Sequence, residues 1–319
     1  MQVFSADDVD RALDFPSLVD ALAEAMRGGF VAPHRHHHPI QRAGEPVATC
    51  LLMPSWTESA SRAGLYLGVK LVNVFPGNAA RGLPAVTGLY VLQSGRTGET
   101  LAAIDGTRLT HWRTAAASAL AARFLARADA RRLLVVGAGA LAPFLARAHA
   151  SVRAYERIAI WNHRPDGAQR LALTLAAAGL PAEAVEDLET AVGEADVVSC
   201  ATLATEPLIA GRWLRPGQHL DLVGAFTVTM READDEALRR SHIYVDTDAA
   251  LVEGGDVALG ILGGVIDRSA VIADLPALCR GAPGRRRADE ITLFKSVGAA
   301  VEDLAAAMLV WKTAGGGEP

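Results

Sequence analysis

The stretch Leu133-Leu134-Val135-Val136-Gly137-Ala138-Gly139-Ala140-Leu141-Ala142 constrains this chain more than any other. A continuous apolar run suits a strand buried on both faces, and it runs directly into glycines and then into a helix-like segment. The order fits G-x-G-x-x-G/A. Gly137 permits a tight turn, Gly139 has no Cβ to keep the backbone from a pyrophosphate, and Ala142 is small enough for close helix–strand packing. A helix N-terminus placed there offers free N–H groups and the positive end of its dipole to an anion. Such a glycine pattern is weak alone. Between an apolar strand and a helix, inside a βαβ unit, it points to dinucleotide binding. Gly137, Gly139, Ala140 and Leu141 are the phosphate-side candidates.

The end of the next strand selects the dinucleotide. NAD sites commonly place Asp or Glu there, about 20 residues on, to hold the ribose hydroxyls; Arg suits a 2′-phosphate. Here the residues are Asn162-His163-Arg164. A neutral Asn stands where the acid would be, and Arg164 can grip a phosphate as a planar fork. The expectation is NADP(H) in preference to NAD(H), with NAD(H) still possible.

Strands alternate with helices from residue 133 onward: 157–162, 184, 195–202, 219–225 and 242–247 read as strands, with a helix over 165–179. This predicts a parallel sheet covered on both sides. Upstream the pattern differs. Residues 8–29 predict one amphipathic helix, and 32–39 an extended segment. Segments 47–53, 66–75 and 86–93 are short, β-branched or apolar, and separated by Gly/Pro punctuation, which suggests a largely antiparallel sheet. An Ala-rich stretch over 114–128 predicts a helix joining two domains, and 299–314 a final helix before a frayed GGGEP tail. The fold class is α/β: a doubly wound Rossmann sheet plus a smaller α+β domain. The boundaries fall at 1–115 with 300–319 for the smaller domain and 116–299 for the Rossmann domain.

Of 319 residues, 50% are apolar and 21% charged, which excludes disorder and allows a sizeable core. A net charge of −5 carries no basic footprint for nucleic acid. The N-terminus is acidic where a secretory signal would be basic and then apolar. The longest uncharged apolar stretch, 257–266, is well short of the roughly 20 residues a bilayer span needs. Cys50, Cys200 and Cys279 are odd in number and far apart, so neither a disulfide framework nor a zinc site is suggested. The run His34-Arg35-His36-His37-His38 resembles a metal tract. However, adjacent strand residues alternate faces and no Asp or Glu completes a shell, so no metal is expected. A soluble cytoplasmic protein is the expectation. Of the 31 basic residues only Lys70, Lys295 and Lys312 are lysines. In a chain that uses Arg by default, each Lys invites the question of why Arg was not used.

LLMP, GVKLVNVFPGN, GLP, DGTRLTHWRTAAASA, LLVVGAGALA, VEGGD and ITLFKSVGAAVED occur in that order. Together they resemble the ornithine cyclodeaminase/μ-crystallin family over nearly the whole chain. The resemblance implies a homodimer, a substrate and dimerisation domain built from the N-terminal part and the C-terminal helix, and NAD(P) at the cleft beside a Rossmann domain. Family members include ornithine cyclodeaminase, amino-acid dehydrogenases, ketimine reductases, and crystallins that bind NADPH and thyroid hormone.

Family substrates carry an α-carboxylate held by basic residues. By resemblance these are Arg35, Lys70 and Arg113 here. Arg clamps a carboxylate bidentately, while Lys supplies a compact charge and a proton donor. The resemblance also places Thr114, at the start of the linking helix, and Arg113 near the cofactor. It sets Thr87 on a strand facing the cleft and Ser296, Val297 and Gly298 over the nicotinamide.

One departure bears on the reaction. Cyclodeaminases of this family carry an acid just after a Gly in the loop following a late Rossmann strand. Here that loop reads Gly224-Ala225-Phe226-Thr227-Val228-Thr229-Met230, with Phe226 or Thr227 at the acid position. Asp234 and Asp235 follow, in a predicted helix facing solvent. A Phe cannot bind an ammonium or act as a base, and a positioned base contributes typically 10²–10⁴-fold. The loop resembles members that reduce cyclic imino acids. The expectation is an NADPH-preferring ketimine reductase. It would turn Δ1-pyrroline-2-carboxylate into L-proline, and Δ1-piperideine-2-carboxylate into L-pipecolate. Lys70, or a water held by Thr227, would donate the proton, and Phe226 would wall the ring. A cyclodeaminase, an open-chain amino-acid dehydrogenase and a non-catalytic NADPH-binding protein are the alternatives.

Overall fold

The computed structural model describes residues 1–58 and 64–317. The chain divides into two units, Met1–Thr114 with Ala299–Pro319, and Ala115–Gly298.

The first unit holds a seven-stranded sheet of β1 (Gln2–Phe4), β2 (Phe30–Val31), β3 (His36–Ile40), β4 (Ala48–Thr57), β5 (Tyr66–Val74), β6 (Val86–Ser94) and β7 (Thr100–Asp105). Its order is β1-β7-β6-β5-β4-β2, with β3 also on β4. All pairs are antiparallel except β1 with β7. Residues 8–29 do not form one helix. α1 (Ala6–Ala12) and α2 (Phe15–Arg27) are separated because Leu13 is extended and Asp14 caps α2, accepting from the Ser17 amide. Pro16 sits in the first turn of α2, where its missing N–H costs nothing, whereas in a helix continued from α1 its ring would clash with the carbonyl four residues back, that of Ala12. α3 (Gly106–Leu125) starts eight residues earlier than the Ala-rich composition suggests, so Thr114 lies inside it rather than at its start.

The second unit is an eight-stranded, all-parallel sheet. In chain order it runs β8 (Arg132–Val136), α4 (Ala142–Val152), β9 (Arg157–Trp161), α5 (Pro165–Ala177), β10 (Ala182–Ala184), α6 (Leu188–Glu194), β11 (Val197–Cys200) and β12 (His219–Leu222). Then follow α7 (Asp235–Arg240), β13 (His242–Val245), α8 (Gly255–Leu262), β14 (Val271–Asp274), α9 (Leu275–Cys279) and β15 (Thr292–Lys295). The sheet order is β10-β9-β8-β11-β12-β15-β13-β14. Numbered within the unit, the first five strands run 3-2-1-4-5, the Rossmann order, with its switch point between β8 and β11. The last strand, β15, is inserted where a sixth strand would follow. Two apolar clusters fill the unit, one around Leu134, Val198 and Leu220, the other around Val135, Ile158 and Leu175.

α10 (Ala300–Thr313) closes the first unit, packing on β4, β5 and β6 and beside α2. It covers one sheet face only. Pairing across β4, β5 and β6 puts Met53, Lys70 and Tyr90 in one row on that covered face. The opposite face carries the rows Leu52–Leu71–Leu89 and Pro54–Val69–Val91, the second continuing through Ala103 to Val3. Trp56, Leu71, Leu89 and Val3 stand exposed there. Among the described residues no helix is long and apolar enough to cross a membrane.

Candidate active site

In the first unit, β5 delivers Lys70, α3 delivers Arg113, and the first turn of α10 delivers Glu302 and Asp303. All four are buried. Lys70 Nζ donates to Asp303 Oδ1 at 2.8 Å and lies 2.7 Å from Oδ2. It also reaches Thr110 Oγ1 at 3.4 Å. Arg113 donates through Nε to Asp303 Oδ1 at 2.9 Å and through Nη1 to Glu302 Oε2 at 2.7 Å. Two cations are thus balanced by two carboxylates inside the unit, the condition under which buried charge is tolerated. Burial, and then the neighbouring Arg113, pull Lys70 down to about 8, against the opposing hold of Asp303 and Glu302. Burial also works against the Arg113 charge, but Asp303 and Glu302 outweigh it and keep the guanidinium protonated.

Glu302 and Asp303 belong to the motif ITLFKSVGAAVED, yet the sequence reading gives them no role. A signal was available. Two adjacent acids in an otherwise Ala- and Val-rich helix have Ala306 and Ala307 at their i+4 positions, so their counter-charges had to come from another element.

The other substrate-side candidates are placed differently. Arg35 is half-buried and directly precedes β3, whose first pair is His36 with Leu52, two strands away from Lys70. His36, His37 and His38 are exposed on β3. Among the described residues no group of three or more His, Cys, Asp or Glu is arranged to hold a metal. Thr87 pairs with Asn73, three residues beyond Lys70, so it projects from the opposite sheet face and does not join the Lys70–Arg113 group.

In the second unit, Gly137 follows β8 with φ +112°, a conformation that favours glycine, and a Cβ there would lie 2.7 Å from the Ala201 carbonyl oxygen. Its amide donates to the Trp161 carbonyl. Around Gly139 there is open space, and Gly139 and Ala140 are exposed. Ala142 is fully buried at the start of α4, whose N-cap residue, Leu141, provides no side-chain acceptor. The Ala142 amide donates to the Gly139 carbonyl and the Phe144 amide to the Leu141 carbonyl, and Pro143 has no N–H, so donors for an anion would come from the glycine turn ahead of α4 and not from its first turn. Asn162 Nδ2 donates to the Arg164 carbonyl at 3.0 Å, which spends that side chain on closing the β9–α5 turn. His163 and Arg164 are exposed at its tip.

Ser296, Val297 and Gly298 follow β15. Asp246 Oδ2 accepts from the amides of Val297 at 2.7 Å and Gly298 at 2.6 Å, which fixes this segment. The Ser296 hydroxyl is buried and has no hydrogen-bond partner among the described residues. A buried donor left unmade costs about 1–3 kcal/mol, so its position just past the C-terminal end of β15 in a Rossmann-ordered sheet fits a ligand partner.

The loop after β12 is pinned from below. Glu232, fully buried, accepts through Oε1 from the Thr202 amide at 2.7 Å and hydroxyl at 2.9 Å. Through Oε2 it accepts from the Gly224 amide at 2.7 Å and the Ala225 amide at 3.3 Å. Asp256 Oδ1 in turn accepts from the amides of Glu232 and Ala233, and Lys295 Nζ lies 3.3 Å from Asp256 Oδ2 and donates to the Leu222 carbonyl. The second scarce lysine is therefore a compact internal charge within the Rossmann unit. Above this network Phe226 is 39% exposed, and the Thr227 hydroxyl bonds that of Thr229 at 2.9 Å. Asp234 is the N-cap of α7, not a free solvent-facing acid: its Oδ1 accepts from the Gly211 and Ala237 amides.

A Rossmann-ordered sheet with an open glycine turn, joined to an α+β unit that buries a Lys–Arg pair, defines a two-unit protein of the dinucleotide-binding class. Residues 5–318 match the Ornithine cyclodeaminase/mu-crystallin family, and the chain belongs to it. It is 42% identical to a Delta(1)-pyrroline-2-carboxylate reductase of Paracoccus denitrificans over 92% of each chain. Among solved structures, it is similar to the Thermococcus litoralis Delta(1)-pyrroline-2-carboxylate reductase in complex with NADH and L-proline. That likeness has a TM-score of 0.91 and 32% identity, covering 98% of this chain and 97% of that one. It is also similar to an archaeal alanine dehydrogenase dimer with bound NAD, at a TM-score of 0.89 and 28% identity, covering 98% and 96%.

Proposed function

We propose that this chain is an NADPH-preferring reductase of cyclic ketimines, converting Δ1-pyrroline-2-carboxylate to L-proline and accepting the six-membered Δ1-piperideine-2-carboxylate. The observation that carries the reading is the buried Lys70–Arg113 pair in a chain whose β12 loop presents Phe226 where a cyclodeaminase would present an acid. The Paracoccus and Thermococcus relatives support it by their own activity and, for the latter, by bound L-proline.

Gly137, Gly139, Ala140 and Leu141 would hold the pyrophosphate, Ser296 to Gly298 the nicotinamide end, and Arg164 a 2′-phosphate. When bound, the dinucleotide supplies the hydride that adds to C2 of the C=N bond. Arg113 and Lys70 hold the substrate carboxylate, and the chain's task is then orientation. Lys70 Nζ, or a water held by Thr227, would give the imine nitrogen its proton, replaced in turn from solvent. The uncovered apolar sheet face of the first unit supports a homodimer, as the archaeal alanine dehydrogenase is a dimer.

Purified protein should oxidise NADPH with Δ1-pyrroline-2-carboxylate and release no ammonia from L-ornithine with NAD. Burying the second ammonium of ornithine against Phe226 would leave a charge unpaired, at a cost of several kcal/mol. Rapid ammonia release would overturn the reductase reading.

A further inference from the structure

We propose that Asp303 is the positioning residue of the substrate clamp, one carboxylate that fixes Lys70 and Arg113 relative to each other. This rests on the reading of those two side chains as the carboxylate-binding pair. Oδ1 of Asp303 receives both Lys70 Nζ, at 2.8 Å, and Arg113 Nε, at 2.9 Å, so the two cations share one acceptor atom. Two positive groups side by side repel, and without a shared anion they would part. Asp303 sets their separation and consumes particular hydrogens. Arg113 gives Nε to Asp303 and Nη1 to Glu302, which leaves Nη2 uncommitted among the described residues. Lys70 turns toward Asp303 and Thr110, which leaves one ammonium hydrogen. Those two remaining donors are the ones a substrate carboxylate or imine can use.

The charged groups that act on Lys70 most strongly, and the tyrosine opposite it, come from elements packed against β5. Arg113 comes from α3, Glu302 and Asp303 from α10, and Tyr90 from the neighbouring strand β6, opposite Lys70 in the register. Of these, Asp303 opposes the loss of the lysine proton most strongly, and Glu302 contributes less. The carboxylate therefore sets both where the ammonium points and how readily it keeps its proton.

The test exploits the scarcity of lysine. With isotope-labelled lysine, three Nζ-side signals are followed through a pH titration, and that of Lys70 is identified by its loss in Lys70→Met. Asp303→Asn should move the Lys70 titration to lower pH. Glu302→Gln, which removes a charge from the same helical turn, should move it down by clearly less than Asp303→Asn does. In parallel, Asp303→Asn should lower kcat/KM for the imine by tenfold or more and move the alkaline limb of the pH profile downward, while NADPH binding measured by fluorescence is kept. If Asp303→Asn does not fold, adding Lys70→Met should restore folding by removing the stranded cation. An unmoved titration, an unshifted pH profile or a fold not restored by the second substitution would each overturn the assignment. The titration needs no substrate, so a failure of the unmodified protein to reduce imines would sink the functional reading and leave this one standing.

Discussion

Gly68 makes room for the hydroxyl of Tyr90: a Cβ added at Gly68 would lie 2.0 Å from the Tyr90 oxygen and 2.6 Å from its Cζ. The two residues are on paired strands, two positions out of register, and Lys70 is directly opposite Tyr90. Gly68 thus lets a full aromatic ring lie along the sheet next to Lys70. Gly68→Ala should destabilise the protein by about 1–3 kcal/mol or more, the range for overpacking, as read by denaturant midpoint. The Tyr90 hydroxyl is buried with no partner among the described residues, so Tyr90→Phe should be neutral or stabilising. The double variant should recover part of the loss and not all, because ring carbons also collide. Additive effects would contradict this coupling.

The exposed tip of the β9–α5 turn makes a prediction about cofactor choice. Asn162 is committed to the turn itself, so under the proposed NADPH preference discrimination would fall to the cations beside it. Arg164→Ala should raise the NADPH KM about tenfold or more, about 1.4 kcal/mol for a charge-assisted contact, and leave NADH nearly unchanged. Equal losses with both cofactors would refute the assignment.

Much of the Rossmann unit is legible because its signals are local: an apolar run, two glycines and a helical period within a dozen residues. β15 is harder to read, because its place between β12 and β13 depends on a chain return of dozens of residues. The split between α1 and α2 was written in Asp14 and Pro16, but the apolar spacing runs through it. Lys70 and Arg113 stand out in the sequence by type and motif. Their partners Glu302 and Asp303 lie about 190 to 230 residues away, and nothing local pairs them. Glu232 and Asp256 show the same limit: each reads as an ordinary charge until the fold buries it, and Lys295 stands out as a scarce lysine without its partner being legible.

The buried Lys70–Arg113 pair predicts a pH dependence. Lys70 is pulled down to about 8 by burial, so reduction that depends on its proton should fall as pH rises through that value. Lys70→Arg, which does not titrate in this range, should lack the limb whatever its rate. Lys70→Ala and Arg113→Ala should each cut kcat/KM by about 10²-fold or more, since stranding one member of a buried charged group costs roughly 2–5 kcal/mol. For stability the direction is opposite. Between about 8 and the ordinary 10.5 the unfolded chain holds a proton that folded Lys70 has released, so Lys70's contribution to stability rises with pH across that window. A pH-independent rate between 7 and 9.5 would remove Lys70 from the proton-donor role.

The loop that bears Phe226 and Thr227 depends on Glu232 as an acceptor on both oxygens. Amide donors reach each side, Thr202 on Oε1 and Gly224 and Ala225 on Oε2. Glu232→Gln keeps size and shape but turns one acceptor into an NH₂ group. Whichever way the amide is flipped, that NH₂ faces a backbone N–H that cannot turn away. The Thr202 hydroxyl can rotate to accept, but the Thr202 amide cannot. The variant should therefore lose about 1–3 kcal/mol, the cost of a buried donor left unmade. The loss should be local as well as global. Amide exchange at Gly224 and Ala225 should quicken if the NH₂ takes the Oε2 side, or at Thr202 if it takes the Oε1 side. Imine reduction should weaken, because Phe226 no longer has a fixed backbone to hold it. A Glu232→Gln protein with unchanged stability and unchanged exchange at all three amides would show that this carboxylate does not hold the loop.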